Sequence, residues 1–171
     1  MAPPDAAASS VKRDFYDELI GQTEALLDRE TDALANAANF AALLYHSLPG
    51  INWAGFYFYR GGELVVGPFQ GKPACVRIAM GKGVCGTAAQ RRTAIVVADV
   101  NAFPGHIACD SASRSEIVIP LLKAGVLLGV LDLDSPTLAR FDHEDQSGLE
   151  RLAAIFLQRT NVGQISNLQA D

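Results

Sequence analysis

The amino-acid sequence predicts an α+β fold, in which helices pack on one face of a central, mostly antiparallel sheet and a loop-covered pocket lies on the other. Apolar residues recur at helical spacing near both ends of the chain, whereas they alternate with a period of two in the middle. Short glycine-containing turns separate the alternating segments, as they do in β-hairpins. The 171 residues suffice for one domain with a sizeable core and are too few for two comfortable ones.

The single domain is predicted to run over residues 11–165. Residues 1–10 are rich in Ala, Pro and Ser and predict a disordered N-terminal tail, and residues 166–171 form a short C-terminal tail. Two helices open the domain, over about residues 11–28 and 31–48, because each segment repeats apolar residues at spacings of three and four.

The segment after Pro49-Gly50 alternates strictly and predicts the first strand, over residues 52–59. Trp53 and Tyr57 share one face of that strand. Gly61-Gly62 follows at once as a hairpin signal, so the next strand should return beside it.

Helix, strand and loop signals then alternate through the second half of the chain. The glycine-rich turn at residues 81–86 opens a short helix that ends near Arg91, and Asp142 is the predicted N-cap of the last helix. The predicted elements between them are a short strand at 93–98, a long irregular loop at 99–115, and strands at 116–122 and 126–134 that are joined by residues 123–125.

Composition excludes several classes of function. The net charge is −5 and the basic residues are scattered, whereas a nucleic-acid partner requires a basic stripe. The longest apolar runs, such as residues 126–131, are far too short to span a membrane. Because the N-terminus also lacks a secretory signal, we expect a cytoplasmic protein that acts on neither nucleic acid nor membrane.

Three cysteines, at positions 75, 85 and 109, lie in or beside the loop-rich middle. They can be small buried apolar residues, metal ligands or redox groups. Their spacings of 10 and 24 lack the close pairs of a structural zinc site, so no metal is expected. Cys85 begins a helix, where the helix dipole favours a thiolate, and Cys109 lies seven residues before Glu116.

Three carboxylates are predicted near one end of the sheet. Asp132 and Asp134 are two apart on an apolar strand and therefore share a face, and a hairpin about residues 123–125 places Glu116 nearly opposite Asp132. The alternatives are a strand end that frays into solvent and a surface ion pair between Glu116 and Arg114. A buried cluster would raise at least one carboxyl pKa, and its remaining anions could bind an ammonium group.

Several motifs resemble those of the free methionine-R-sulfoxide reductases, which are single-domain proteins of the GAF fold. The likeness runs from about residue 14 to residue 158 and includes the three-cysteine spacing. The motifs are Asn52-Trp-Ala-Gly-Phe-Tyr57, Gly81-Lys-Gly-Val-Cys-Gly86, Phe103-Pro-Gly-His-Ile-Ala-Cys-Asp110, Ser113-Arg-Ser-Glu-Ile-Val118 and Leu131-Asp-Leu-Asp-Ser135.

The resemblance implies roles for specific residues. Cys109 would be the nucleophile, Cys75 the preferred resolving cysteine, and Cys85 an additional or alternative resolver. The substrate-binding residues that the resemblance implies are Glu116, Asp132 and Asp134 as carboxylates, with Trp53 and Tyr57 as an aromatic wall around the methyl–sulfur end.

The resemblance also implies a dimer that uses no metal or organic cofactor and takes electrons from thioredoxin. From the carboxylate cluster we expect Glu116 to be the catalytic acid, because a sulfoxide oxygen leaves poorly unless it is protonated. Three other functions remain open at this stage: a GAF module that binds a cyclic nucleotide, a thiol-based redox sensor, and a reductase of protein-bound methionine sulfoxide.

Overall fold

A computed structural model of the chain describes residues 6–106 and 110–167. Its six strands form one sheet in the order β3-β2-β1-β6-β5-β4, and all neighbouring strands are antiparallel. The strands are β1 (Trp53–Arg60), β2 (Glu63–Gly71), β3 (Arg77–Ala79), β4 (Ile95–Val97), β5 (Ser115–Lys123) and β6 (Val126–Ser135). The α-helices are α1 (Ala6–Leu26), α2 (Ala33–Ser47), α3 (Gly83–Arg91), α4 (His143–Arg159) and α5 (Gly163–Asn167). The predicted α+β class, with a mostly antiparallel central sheet, is confirmed.

One face of the sheet carries the main core, against which α1, α2 and α4 pack. Phe40 of α2 and Phe156 of α4 stack with their centroids 5.6 Å apart, and Phe56 of β1 packs against both rings. The alternation of β1 decides which residues reach this core: Ala54, Phe56 and Phe58 point into it, as the period of two predicts.

The opposite face carries a second apolar cluster, and Trp53 and Tyr57 belong to it. The short helix α3 also packs on this side, against β5 and β6. The prediction that the helices lie on one face therefore holds for α1, α2 and α4, whereas α3 lies on the pocket face. The first turn of α3 brings Cys85 against the sheet. The sequence pattern of α3 alone does not predict this contact.

Several boundaries differ from the prediction. Helix α1 begins at Ala6, so residues 6–10 of the predicted tail are helical, while residues 1–5 lie outside the described residues. Helix α5 was not predicted and extends two residues into the predicted C-terminal tail. Strand β3 was also missed, because three residues are too few for a visible alternation. Asp142 caps α4 as predicted, in a capping box with Asp145. None of the described helices has the length and apolarity needed to cross a bilayer.

The β5–β6 hairpin has a different register from the one predicted. Glu116 pairs with Asp134, and Asp132 pairs with Val118 rather than with Glu116. The turn is the two-residue segment Ala124-Gly125, with positive φ at both positions, and a bulge follows beside Leu121. Together the turn and the bulge shift the register by two residues from the predicted one. Since side chains alternate with a period of two, this shift keeps the three carboxylates on one face.

Candidate active site

A small cavity of about 40 Å³ lies on the pocket face, where β1, β5 and β6 run beside the start of α3. Glu116, Asp132 and Asp134 line it together with Cys85, Trp53 and Tyr57. The volume has space for a few water molecules, so an amino-acid ligand requires the loops over the cavity to move outward.

The three carboxylates are packed together and largely removed from water. Glu116 and Asp132 are only 6% and 5% exposed, and Oδ1 of Asp132 has no hydrogen-bond partner among the described residues. Burial raises the pKa of Asp132 to about 7. Burial first, and then the charges of Asp132 and Asp134, raise the pKa of Glu116 well above its ordinary value. Burial, and then the charge of Asp132, also raise the pKa of Asp134 well above its ordinary value. The cluster therefore holds protons near neutral pH.

Cys85 is a free thiol at the floor of the cavity. Its Sγ lies 3.7 Å from Oε1 of Glu116, to which it donates a hydrogen bond. Burial, followed by the charges of Asp132 and Glu116, raises the thiol pKa well above its ordinary value. The prediction that the helix start favours a thiolate here is wrong, because desolvation and two neighbouring carboxylates oppose the helix dipole.

His106 is a pocket residue that sequence reasoning did not select. Its Nε2 lies 3.9 Å from Oε2 of Glu116, and the side chain is only 14% exposed. Burial lowers the pKa of His106 below its usual 6.5, so the imidazole is mostly neutral at pH 7. The sequence feature that could have identified His106 as a site residue is its position in the long loop, three residues before Cys109.

An aromatic wall on β1 closes one side of the cavity. Trp53 stacks on Tyr57 with the ring centroids 5.8 Å apart, and on Phe69 of β2 at 5.2 Å. Gly55 makes this arrangement possible, since a Cβ there would lie 2.8 Å from Cη2 of Trp53. In the sheet register Trp53 is opposite Asp134 and Gly55 is opposite Asp132, so the wall and the acids lie side by side.

The same aromatic residues hold the segment that carries Cys75. Trp53 donates a hydrogen bond from Nε1 to the carbonyl of Lys72 at 3.1 Å, and Tyr57 donates from its hydroxyl to the carbonyl of Cys75 at 3.1 Å. Cys75 is disulfide-bonded, in contrast to Cys85. The β2–β3 connection is thereby fixed along the rim of the cavity.

Polar contacts join the other rim to the sheet. Asn52 donates from Nδ2 to Ser113 at 3.2 Å and to Asp110 at 3.4 Å, and Lys72 forms an ion pair with Asp110 at 3.4 Å. Asp110, Ser113 and Asn52 were quoted only as parts of motifs and were not predicted as site residues. These contacts connect the segment after position 109 to β1 and to the β2–β3 connection.

The structure thus brings together seven of the eight predicted site residues around one cavity or its rim: Cys75, Cys85, Glu116, Asp132, Asp134, Trp53 and Tyr57. The eighth, Cys109, lies outside the described residues. The two alternatives for the carboxylates are not what the structure shows. Asp132 is buried rather than frayed into solvent, and the described contacts of Glu116 include His106 but no ion pair with Arg114.

The comparisons with known proteins agree with this geometry. A family model described as "GAF domain" matches residues 22–158. The chain is 56% identical over 147 residues to Protein YtsP of Bacillus subtilis, covering 85% of this chain and 90% of that protein. It is 53% identical over 143 residues to the free methionine-R-sulfoxide reductase of Escherichia coli, covering 84% of this chain and 87% of that protein.

A solved structure of a free methionine-R-sulfoxide reductase is also similar to this chain. The free methionine-R-sulfoxide reductase from Neisseria meningitidis, determined in complex with its substrate, is 45% identical to this chain. The two structures align with a TM-score of 0.84 over 97% of this chain and 96% of that one. The likeness therefore extends over the whole domain, including every element that lines the cavity.

Proposed function

This chain belongs to the GAF-domain family and is a free methionine-R-sulfoxide reductase, and we propose that it works through Cys109, an acidic pocket and a disulfide that thioredoxin reduces. The observation that carries the proposed site is the convergence of three carboxylates, of which Glu116 and Asp132 are buried and Asp134 is half-buried. Among the described residues, neither Lys nor Arg lines the cavity to neutralise them. A ligand with a positive charge is the natural counterpart of such a pocket.

The ammonium group of free methionine sulfoxide supplies that charge. Asp132 and Asp134 face the cavity from one strand, and Oδ1 of Asp132 lacks a hydrogen-bond partner among the described residues. The aromatic rings of Trp53 and Tyr57 lie beside these acids, which suits the methyl–sulfur end of the same molecule. A peptide-bound residue has no ammonium group and would leave the acids unpaired.

The chemical step needs a nucleophile and an acid together. The Cys109 thiolate attacks the sulfoxide sulfur, and the protonated carboxyl of Glu116 delivers a proton to the oxygen. The resulting hydroxyl group moves from the substrate sulfur to the sulfur of Cys109, and the transient bond between the two sulfur atoms breaks. Methionine leaves in its reduced form, and Cys109 becomes a sulfenic acid. The raised pKa of Glu116 supports the acid role, because the group must hold its proton near neutral pH.

The second step regenerates the thiol. The Cys75 thiol condenses with the sulfenic acid, one water molecule leaves, and a disulfide forms between Cys75 and Cys109. Thioredoxin then reduces the disulfide by thiol–disulfide exchange and takes up the oxidising equivalents as its own disulfide. A disulfide at Cys75 and a free thiol at Cys85 favour Cys75 as the resolving residue, with Cys85 as the alternative.

We further propose that the enzyme acts in the cytoplasm, and that it is a homodimer, as the family resemblance implies. A reducing compartment suits a cycle that returns to free thiols in every turnover.

The proposal is tested by assaying free and N-acetylated methionine-R-sulfoxide side by side with excess dithiol. We expect repeated turnover of the free compound and little of the acetylated one. The Asp134→Asn variant should have a higher KM for the free compound. The preference for the free over the N-acetylated compound should therefore be smaller in this variant. Equal turnover of both compounds by the unmodified protein would refute the charge argument.

A further inference from the structure

The pocket also contains an arrangement of donors that the reductase reaction does not require. Sγ of Cys85 and carboxylate oxygens of Glu116 and Asp132 all lie within 4.8 Å of one another, and all three residues are buried. They come from α3, β5 and β6, so the fold creates a group of donors that the sequence spacing conceals. The sequence argument against zinc considered only close pairs along the chain.

The donor distances suit a small ion. Zinc binds sulfur at about 2.3 Å and nitrogen or oxygen at about 2.0 Å, so tetrahedral donors lie roughly 3.3–3.8 Å apart. The Cys85 Sγ–Glu116 Oε1 distance of 3.7 Å falls in that range. Nε2 of His106 lies 3.9 Å from the other oxygen of Glu116 but outside the group of mutually close donors, so its side chain must move inward to become a fourth ligand.

The cavity also favours a cation on grounds of charge and size. Oδ1 of Asp132 is buried and has no hydrogen-bond partner among the described residues, although it lies in the cavity wall. Neither Lys nor Arg lines this cavity within the described ranges. The volume of about 40 Å³ is too small for an amino acid but accommodates a single ion.

From this geometry we propose that the reduced protein binds a thiophilic divalent cation such as Zn²⁺ through Cys85, Glu116 and Asp132, with His106 as a fourth donor, and that the cation inhibits by excluding the substrate. Thiolate and imidazole donors select zinc over magnesium, which prefers oxygen ligands and retains its water. Binding replaces the proton of the Cys85 thiol and any proton on the coordinating carboxyl groups by the metal, so these protons leave to solvent and no electron is transferred. The inference depends on the proposed function only in naming the substrate as the competitor.

Cobalt titration of the fully reduced protein tests the donor set, because Co²⁺ occupies zinc sites and gives a thiolate-to-metal charge-transfer band. We expect the band in the unmodified protein and in Cys109→Ser, its loss in Cys85→Ser, and its disappearance when Zn²⁺ is added. The Cys85→Ser variant should bind Zn²⁺ at least about 10-fold more weakly, the lower end of the loss seen for changes around metal ligands. A band that is absent from the unmodified protein, or that persists in Cys85→Ser, would overturn the proposal.

X-ray absorption of the zinc-loaded, unmodified protein provides a test that needs no variant. We expect one sulfur and about three nitrogen or oxygen neighbours around the metal. A shell without sulfur, or with two sulfur atoms, would overturn the assigned donors.

Competition is measured with Cys109→Ser, which cannot turn the substrate over. Free methionine-R-sulfoxide should raise the apparent Kd for Zn²⁺ in proportion to its concentration, whereas Mg²⁺ should have no effect. Independent binding of zinc and sulfoxide would overturn the inhibitory role. A protein that binds zinc through Cys85 yet reduces no free sulfoxide would instead refute the proposed function, so the two failures are distinguishable.

Discussion

The Asp132→Asn variant should be more stable than the unmodified protein but should no longer bind the substrate. The gain in stability should increase with pH. Asp132 is 5% exposed, and burial raises the pKa of its carboxyl from 3.8 to about 7. The folded protein without substrate therefore carries a carboxyl that resists ionisation, whereas the unfolded chain ionises it freely. An uncharged amide of nearly the same shape removes this difference.

The magnitude follows from the two pKa values. The difference between 3.8 and about 7 corresponds to about 4 kcal/mol of folding free energy. Below about pH 4 the carboxyl is protonated in both states and this contribution to stability is fully present. As pH rises the unfolded chain loses its proton first, so the contribution falls and is lost above about pH 7.

Urea unfolding of both proteins between pH 4 and pH 8 is the assay. We expect the advantage of Asp132→Asn over the unmodified protein to grow with pH by up to about 4 kcal/mol, while binding of free methionine sulfoxide is lost. Asp14→Asn, at an exposed position of α1, is the matched control and should show no such trend. A stability difference that does not change with pH would refute the assignment of Asp132 as a buried, readily protonated carboxyl.

Four other substitutions separate the roles of the remaining groups. Cys109→Ser should abolish even a single turnover, whereas Cys75→Ser should release one equivalent of methionine in a rapid-mixing experiment and then stop; a sustained rate in Cys75→Ser would assign the resolving role elsewhere. Glu116→Gln should slow the single-turnover rate by about 10²-fold, and should abolish the decline in rate that we expect for the unmodified protein as pH rises through the raised pKa of Glu116. A full rate in that variant would remove Glu116 from the acid's role. Asp145→Asn should lower the unfolding free energy by about 3 kcal/mol or more, because buried Asp145 accepts hydrogen bonds from Lys12, Arg140 and Tyr16. The KM of that variant should be unchanged, since the network lies outside the cavity; a changed KM would contradict this separation.

The sequence predicts those features of the site that depend on local periodicity. The alternation of β1 places Trp53 and Tyr57 on the pocket face, and the two-residue spacing of Asp132 and Asp134 places both acids there. Even the register error at the β5–β6 hairpin leaves Glu116 on the correct face, because the shift is two residues.

Features that arise from packing between distant elements are not predicted. The bulge beside Leu121 depends on how the hairpin fits the sheet, and no residue type in the sequence predicts it. The pKa of Cys85 rises because α3 packs against the carboxylates, although its position at a helix start suggests the opposite. His106 enters the site through the path of an irregular loop, for which neither a period of two nor one of 3.6 provides a guide.

The central claim is that the acids and position 109 act on one substrate molecule. A crystal structure of Cys109→Ser soaked with free methionine-R-sulfoxide tests it most directly. We expect the ammonium group within hydrogen-bond distance of Asp132 and Asp134, the methyl group against Trp53, and the sulfoxide sulfur facing the substituted position. A substrate bound with its ammonium group in solvent, away from the carboxylates, would contradict the account.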